Sequence, residues 1–242
     1  MNKVKTIICA VFTLMLVNIS TTIQADSSNF AGPYIGITAS GYGMQLDGIA
    51  NTSYKKSDGS HETDQVSLGQ VAPVTGFEAG YAIPLGSAFL IDIGASMFQG
   101  EAKLEFHGDQ DNATNKAGDS DATEFNSTPT NVSFKIDDLV HYYIAPTIVL
   151  SDTSSLYLKV GLTEADIGVS GDITTPGNLS GTTWALGTRT VLASGIFIKT
   201  EAGFTDYNMI SAAGKGTSVG SNNTYSADPT VAFGTVALGF RF

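Results

Sequence analysis

The chain has 242 residues, with 12 basic and 23 acidic side chains, a formal net charge of −11 and a single cysteine. Only 14% of the residues are charged and 42% are hydrophobic, a composition too apolar for a disordered protein. The isoelectric point near 4.5 argues against nucleic-acid binding, which needs a basic surface. One cysteine cannot form an internal disulfide, so a disulfide-stapled secreted domain is also excluded.

Residues 1–25 have the pattern of a secretory signal peptide. Lys3 and Lys5 form the basic start, residues 7–17 are apolar, and the stretch ending in Ala25 offers a cleavage site. Cleavage there leaves a domain of residues 26–242 with ten basic and 23 acidic residues, a net charge of −13, and without Cys9. No later segment is long and apolar enough for a membrane-spanning helix, so any spanning must use strands.

Eight segments after residue 25 alternate with period two, which predicts strands. In each segment one face carries large apolar residues and the other carries mostly Gly, Ser, Thr and a few charges. The predicted strands are residues 34–40, 74–83, 89–97, 139–150, 156–163, 184–191, 196–205 and 231–242. The bulky apolar face is expected to point outward, and the small and polar face into the interior of a barrel.

The connections between these strands alternate in length. Short links are predicted at 84–87, 151–155 and 192–195, and longer ones at 47–72, 107–131, 168–181 and 208–229. This arrangement places the turns at one end and the loops at the other, as in outer-membrane barrels with periplasmic turns and external loops. A strand protein survives in lipid only when the sheet closes. We therefore predict an all-β fold, an eight-stranded antiparallel up-and-down transmembrane β-barrel, rather than a soluble ligand carrier. The predicted interfacial aromatic belts contain Tyr34, Tyr81, Tyr142, Trp184 and Phe242.

The last segment ends on an alternating apolar face that finishes with Phe240 and Phe242. It resembles the terminal strand by which outer-membrane barrels are recognised, which implies Phe240 and Phe242 as an assembly signal for the barrel-assembly machinery. With the stretches at 30–37, 80–81 and 143–146, the chain resembles the eight-stranded family of opacity proteins, OmpX, the OmpA transmembrane domain and alphaproteobacterial surface antigens. The resemblance implies a bacterial outer-membrane location, with membrane lipid and lipopolysaccharide as partners.

Eight ionisable residues fall on the predicted inner face: Glu78, Asp92, His141, Lys159, Arg189, Lys199, Glu201 and Arg241. Because unpaired buried charge is unfavourable and an eight-stranded interior is filled by side chains, we expect a salt-bridge network. A proton or ion relay, or a gate, is the functional alternative for the same residues.

Two other chemistries have weaker support in the sequence. His141 with Asp92 and Ser96 could form a hydrolase-type triad, but no motif fixes that geometry, so we predict no enzyme. The aspartates of residues 109–121 hint at calcium, but they lack EF-hand spacing, so no metal or cofactor is predicted.

The predicted function is that of an integral outer-membrane barrel with a packed polar lumen and long surface-exposed loops. It would act in envelope structure or in surface interaction and adhesion, with an external host or cell-surface ligand. The alternative is a narrow porin that passes ions or small solutes.

Overall fold

The computed structural model describes residues 26–55, 61–99, 102–106, 132–170, 174–192, 195–213 and 224–242. A short 3-10 turn at Ser27–Asn29 precedes ten strand segments. These are β1 Gly32–Lys55, β2 His61–Pro84, β3 Phe89–Gln99, β4 Ala102–Phe106, β5 Val132–Ser151, β6 Ser154–Ser170, β7 Leu179–Val191, β8 Ile196–Tyr207, β9 Ile210–Ala213 and β10 Thr224–Arg241. Within the described ranges, no helix is long and apolar enough to cross a membrane.

The strands close into a ring of eight. Each neighbour pairs antiparallel in the order β1-β2-β3-β5-β6-β7-β8-β10, and β10 pairs back to β1. The two short segments extend this ring, because β4 continues β3 along β5 and β9 continues β8 along β10. The predicted eight-stranded antiparallel barrel is therefore confirmed. Closure pairs the first and last strands with each other, which removes the open sheet edges that hydrocarbon does not tolerate.

Tight connections lie at one end of the barrel, at residues 85–88 and 152–153, and the Leu192 backbone N–H donates to Ile196 O at 2.8 Å at the same end, between β7 and β8. Both ends of the described chain lie there too, and the backbone N–H of Phe242 donates to Pro33 O at 3.0 Å. We call this end the turn end and the opposite end the loop end. The alternation of short and long connections read from the sequence thus matches the order of the strands.

Three of the predicted loops are wrong in extent. Most of 47–72 is a hairpin, since β1 and β2 stay paired from Asp47 opposite Ser67 to Lys55 opposite His61. Much of 208–229 is likewise strand, because β9 pairs with the start of β10. β6 also extends into the predicted connection 168–181, whereas residues 107–131 lie outside the described residues. Strand pairing continues beyond the apolar surface of the barrel. In that region apolar and polar residues no longer alternate, so the sequence pattern does not reveal the strands.

The orientation of the strand faces follows the prediction. Outward residues such as Ile37, Phe77 and Leu162 are 57%, 60% and 63% exposed, whereas inward Lys159 on the same strand as Leu162 is 2% exposed. Tyr81, Tyr142 and Phe242 are exposed, and Trp184 is half-buried.

Tyr34 is a correction to the predicted aromatic belt. It is 1% exposed and lies inside the barrel, because it shares its face of β1 with Gly36 and Thr38. Period two assigns Tyr34 to the lumen, and its aromatic character alone is no reason to place it at an interface.

The outward apolar surface ends toward the loop end in a polar boundary. Register places exposed polar residues near one level on five strands of the ring: Gln45, Asp138, Glu164, Asp206 and Thr230. Asp138 has a positive φ of 48° and lies at a bulge in the β5–β6 pairing. Aspartate is among the residues that adopt this conformation most readily. This boundary marks where the lipid-facing surface stops.

The depth of a lipid-facing position is expected to set the effect of a charge placed there. Leu158 lies on the outward face of β6, midway between the turn at 152–153 and the boundary residue Glu164. Leu158→Arg should lower the free energy of unfolding by about 2–4 kcal/mol, and Ile198→Arg, nearer the turn end, by less. Urea titration of the barrel folded in detergent or lipid measures both.

Glu164→Arg is the matched control on β6, because its side chain already lies at the polar boundary and should tolerate the change. A neutral Leu158→Arg, or a Glu164→Arg as damaging as Leu158→Arg, would contradict the assigned faces.

Candidate functional site in the lumen

The interior of the barrel is filled in three layers. At the turn end, Phe30 packs with Ala82, Leu90 and Val149; we call this the turn-end cluster. At the loop end lies a second apolar group, the loop-end cluster, formed by Met44, Leu46, Ala165, Ile167, Leu179, Tyr207 and Val231. Between them lie ionised side chains, which we call the charge layer. It consists of Glu78, Asp92, Lys159, Arg189, Lys199 and Glu201.

Each acid of the charge layer has a basic partner. Lys199 Nζ lies 2.8 Å from Glu78 Oε2, and Lys159 Nζ lies 2.5 Å from Glu201 Oε2. Arg189 pairs with Asp92. All six side chains are at most 6% exposed, and the three pairs sum to zero charge. Pairing of this kind is what allows charges to be buried at all.

Three tyrosines complete the charge layer. Tyr34 Oη donates to Asp92 Oδ1 at 2.7 Å and lies 2.7 Å from Tyr143 Oη. Tyr157 Oη donates to Glu201 Oε2 at 2.9 Å. Lys159 Nζ also lies 4.3 Å from the ring centre of Tyr143, and the Arg189 guanidinium lies 4.6 Å from that of Tyr34. Cation–π contacts of this kind strengthen when they are desolvated. Sequence reasoning placed Tyr34 in an aromatic belt and gave Tyr143 and Tyr157 no role, although alternation places all three on the inner face.

Inward glycines make room for these rings. Tyr143 of β5 crosses to Gly94 of β3, where a Cβ would lie 2.5 Å from Tyr143 Oη and 2.8 Å from Ala79 O. In the same way, Tyr34 lies against Gly80 and Tyr157 against Gly187. On the inner face, a strand therefore carries a glycine where a ring from another strand packs against it. This explains the mixture of glycines and large residues on that face.

His141 and Arg241 lie apart from the ion pairs. His141 is 3% exposed, its ring centre is 5.6 Å from that of Tyr143, and its Nε2 has no hydrogen-bond partner among the described residues. Arg241 lies at the turn end, where Nη1 donates to Ser28 O and Ala31 O at 2.9 Å each. The structure therefore places six of the eight predicted residues in ion pairs with one another, and these two elsewhere.

The described residues do not assemble the alternative triad. Ser96 is opposite His141 across the β3–β5 pairing. Asp92, however, is engaged by Tyr34 and Arg189. A carboxylate that orients a catalytic histidine must bind the imidazole. Among the described residues there is also no group of three His, Cys, Asp or Glu side chains that could hold a metal ion.

The chain segment 26–31 closes the turn end, and we call it the turn-end plug. The Ser27 backbone N–H donates to Ser87 O at 2.9 Å, and Ser27 Oγ donates to Gly86 O at 2.6 Å. Phe30 is 1% exposed in the turn-end cluster, and its carbonyl accepts from Arg189 Nη1 at 3.5 Å. The plug is thus tied both to the turns and to the charge layer.

Comparison with known proteins agrees with this architecture. The model of the outer membrane protein beta-barrel domain family matches residues 10–242. The chain belongs to this family. It is accordingly a protein of the bacterial outer membrane, and the resemblance to outer-membrane barrels noted in the sequence is confirmed.

Several solved structures are similar to this chain at low sequence identity. The outer membrane protein OprG from Pseudomonas aeruginosa has a TM-score of 0.52 at 13% identity, covering 91% of this chain and all of OprG. Ail, the attachment invasion locus protein of Yersinia pestis, has a TM-score of 0.37 at 11% identity, covering 86% and 99% of the two chains. The outer membrane protease OmpT from Escherichia coli has a TM-score of 0.35 at 8% identity, covering 87% and 97%. A comparison with curated protein sequences finds no match.

Glu201→Gln tests the assignment of Lys159 as the ion-pair partner of Glu201. The variant leaves the Lys159 ammonium buried without its counter-charge, so the free energy of unfolding should fall by about 3–5 kcal/mol. Adding Lys159→Met should recover much of that loss, because the unpaired charge is then gone. Adding Lys199→Met instead should lower stability further, since it leaves Glu78 unpaired. Equal recovery by Lys159→Met and Lys199→Met in urea titrations would contradict the pairing.

Gly94→Ala tests the contact between Gly94 and Tyr143. The new methyl group overlaps Tyr143 Oη and the Ala79 carbonyl, so a destabilisation of about 1–3 kcal/mol is expected. Gly234→Ala is the matched control, since a Cβ at that outward glycine meets no atom within 4 Å. Thermal or urea unfolding of both variants measures the difference, and similar stabilities would contradict the steric explanation.

Proposed function

We propose that the protein is a structural barrel of the outer membrane that presents its long connections at the cell surface for interaction or adhesion. The observation that carries this proposal is the filling of the lumen by the turn-end cluster, the charge layer and the loop-end cluster. A barrel built in this way holds its shape in the membrane, while its chemically variable parts lie in the connections at the loop end.

The charge layer supports a structural role for the interior. A binding or transport site keeps polar groups available to a ligand, whereas here each charged group of the layer is engaged by another side chain of the protein. The interior of an eight-stranded barrel is also narrow enough for side chains alone to fill it.

A narrow porin is the second candidate, because some buried polar atoms lack a protein partner. Among the described residues these include Thr38 Oγ1, Glu78 Oε1 and His141 Nε2. Buried groups of this kind usually bind internal water. A chain of such waters is the feature that would support conduction of small ions.

The proposed partners follow from the surfaces of the barrel. The outward apolar residues suit membrane lipid, and the residues beyond the polar boundary suit lipopolysaccharide. Phe240 and Phe242 are 42% and 68% exposed, with ring centres 5.3 Å apart, and this outward pair is our candidate signal for the barrel-assembly machinery. An external ligand, from a host or another cell, would bind the long connections.

Planar-bilayer recordings combined with surface labelling test the proposed function. The wild-type barrel should give no steady conductance in concentrated KCl, because three layers of side chains block its lumen. The double variant Glu78→Ala with Lys199→Ala removes one ion pair without leaving a lone charge, and it should conduct measurably more. An epitope inserted after Ser120 should be labelled on intact cells, and one inserted after Asp152 should not.

Two outcomes would overturn this proposal. A steady wild-type conductance that the double variant leaves unchanged would favour the porin. Labelling of the epitope at Asp152 on intact cells would reverse the assigned orientation and exclude surface presentation by the long connections.

A further inference from the structure

The turn-end plug reaches a carboxylate on a distant turn. The backbone nitrogen of Asp26 donates to Asp152 Oδ1 at 3.2 Å, and Asn29 Nδ2 donates to the Asp152 backbone carbonyl at 3.2 Å. Asp152 belongs to the two-residue turn between β5 and β6 and is 126 positions away in the sequence. One turn residue thus binds the plug through both its side chain and its main chain.

Asp26 is also the first residue after the predicted cleavage site at Ala25. Hydrolysis of the Ala25–Asp26 peptide bond by a signal peptidase consumes one water and breaks the C–N bond. Ala25 leaves with a carboxylate, and the Asp26 nitrogen becomes an amine that takes up a proton below its ordinary pKa of about 7.7–8.0. A neutral amide donor with one hydrogen thereby becomes a positively charged donor.

We propose that the α-ammonium group of Asp26, created when residues 1–25 are removed, forms an ion pair with Asp152 that latches the turn-end plug. Export processing then completes the closure of the turn end. A charge-assisted hydrogen bond is roughly twice as strong as a neutral one, so the contact strengthens on cleavage without any movement of the chain.

The local contacts favour Asp152 as the partner of this nitrogen. The carboxylate of Asp26 itself caps the 3-10 turn by accepting from the Ser28 backbone N–H at 2.9 Å, and the Ser28 hydrogen bonds lower the pKa of Asp26. The neighbouring cation Arg241 binds backbone carbonyls of the plug. The Asp152 carboxylate, in contrast, lies directly against the Asp26 nitrogen.

The geometry also makes the latch specific to one cleavage position. Ser27 and Phe30 fix the plug through their contacts with the turns and the turn-end cluster. Each extra residue before Asp26 moves the amino group by about 3.5 Å. A chain cut one bond earlier would therefore carry its ammonium outside hydrogen-bond distance of Asp152.

A single thiol can report opening of the plug. The predicted processed chain has no cysteine, and Ala82 is 1% exposed in the turn-end cluster beside Phe30. Ala82→Cys is a small change, so its labelling rate by a thiol reagent should measure how often the plug opens. For this measurement, the protein is expressed with its signal peptide and purified from membranes in detergent. Mass spectrometry then identifies the first residue of the processed chain.

Asp152→Asn in this background should raise the labelling rate about two- to fivefold, as expected for loss of a surface ion pair. Acetylating the α-amino group near pH 6.5, where lysine amines stay protonated and the Ser27 N–H is left intact, should give the same rise, and the two changes together should give no further rise. Asp206→Asn, which removes an exposed carboxylate at the loop end, is the matched control and should leave the rate unchanged.

Titration of the α-amino group in the protein without the cysteine gives an independent measurement. Its pKa should lie roughly 0.3–0.7 units above the value in the unfolded chain, and this increase should vanish in Asp152→Asn but not in Asp206→Asn. A first residue other than Asp26 would overturn the proposal. So would an α-amino pKa and a labelling rate that do not respond to Asp152→Asn.

Discussion

Burial of six charges inside a closed barrel is the constraint on which the rest of the lumen depends. Each of the three ion pairs joins strands that are not neighbours in the ring: β2 with β8, β3 with β7, and β6 with β8. These contacts cross the interior and brace its walls, whereas backbone hydrogen bonds join only adjacent strands. Because a lone buried charge is strongly destabilising, the pairs also specify which strand positions must face one another.

Strand register follows from the same constraint. A shift of one residue would turn Glu78 or Lys159 toward lipid and Phe77 or Leu158 into the lumen. The glycines opposite the tyrosines add a second requirement, because Tyr143 fits only where β3 presents Gly94. Ion pairing and ring packing therefore favour the same strand register. The charge layer lies at the height in the barrel where that register satisfies both.

The sequence predicts the part of the barrel in which one face of the sheet contacts lipid and the other faces the lumen. Between lipid and lumen, each strand must alternate, so Phe77 and Glu78 could be assigned to their faces without a structure. Beyond the polar boundary, residues 47–55 and 61–68 remain paired strand, but the alternation that signals a lipid face ends and the pattern resembles a loop. Tyr34 was misplaced because its residue type was given more weight than its position in the alternation.

The partner of each charge could not be predicted from the sequence. Lys159 and Lys199 have the same chemistry and the same orientation, and either could have served Glu201. The choice depends on the stagger between strands and on the rings of Tyr143 and Tyr157, which are long-range properties of the closed barrel. Alternation in the sequence predicts which face of the sheet a residue lies on. Its height along the barrel axis depends on how the strands are staggered when the barrel closes.

The charge layer is electrically neutral, although the chain as a whole is acidic. The whole sequence has a net charge of −11, whereas the three ion pairs contribute none of it. The excess of acid must therefore lie outside the charge layer, where water and salt screen it. Exposed carboxylates at the polar boundary, including Asp138, Glu164 and Asp206, contribute to that excess without facing the lumen. The surface can consequently vary in charge while the paired interior, which determines the register and shape of the barrel, stays the same.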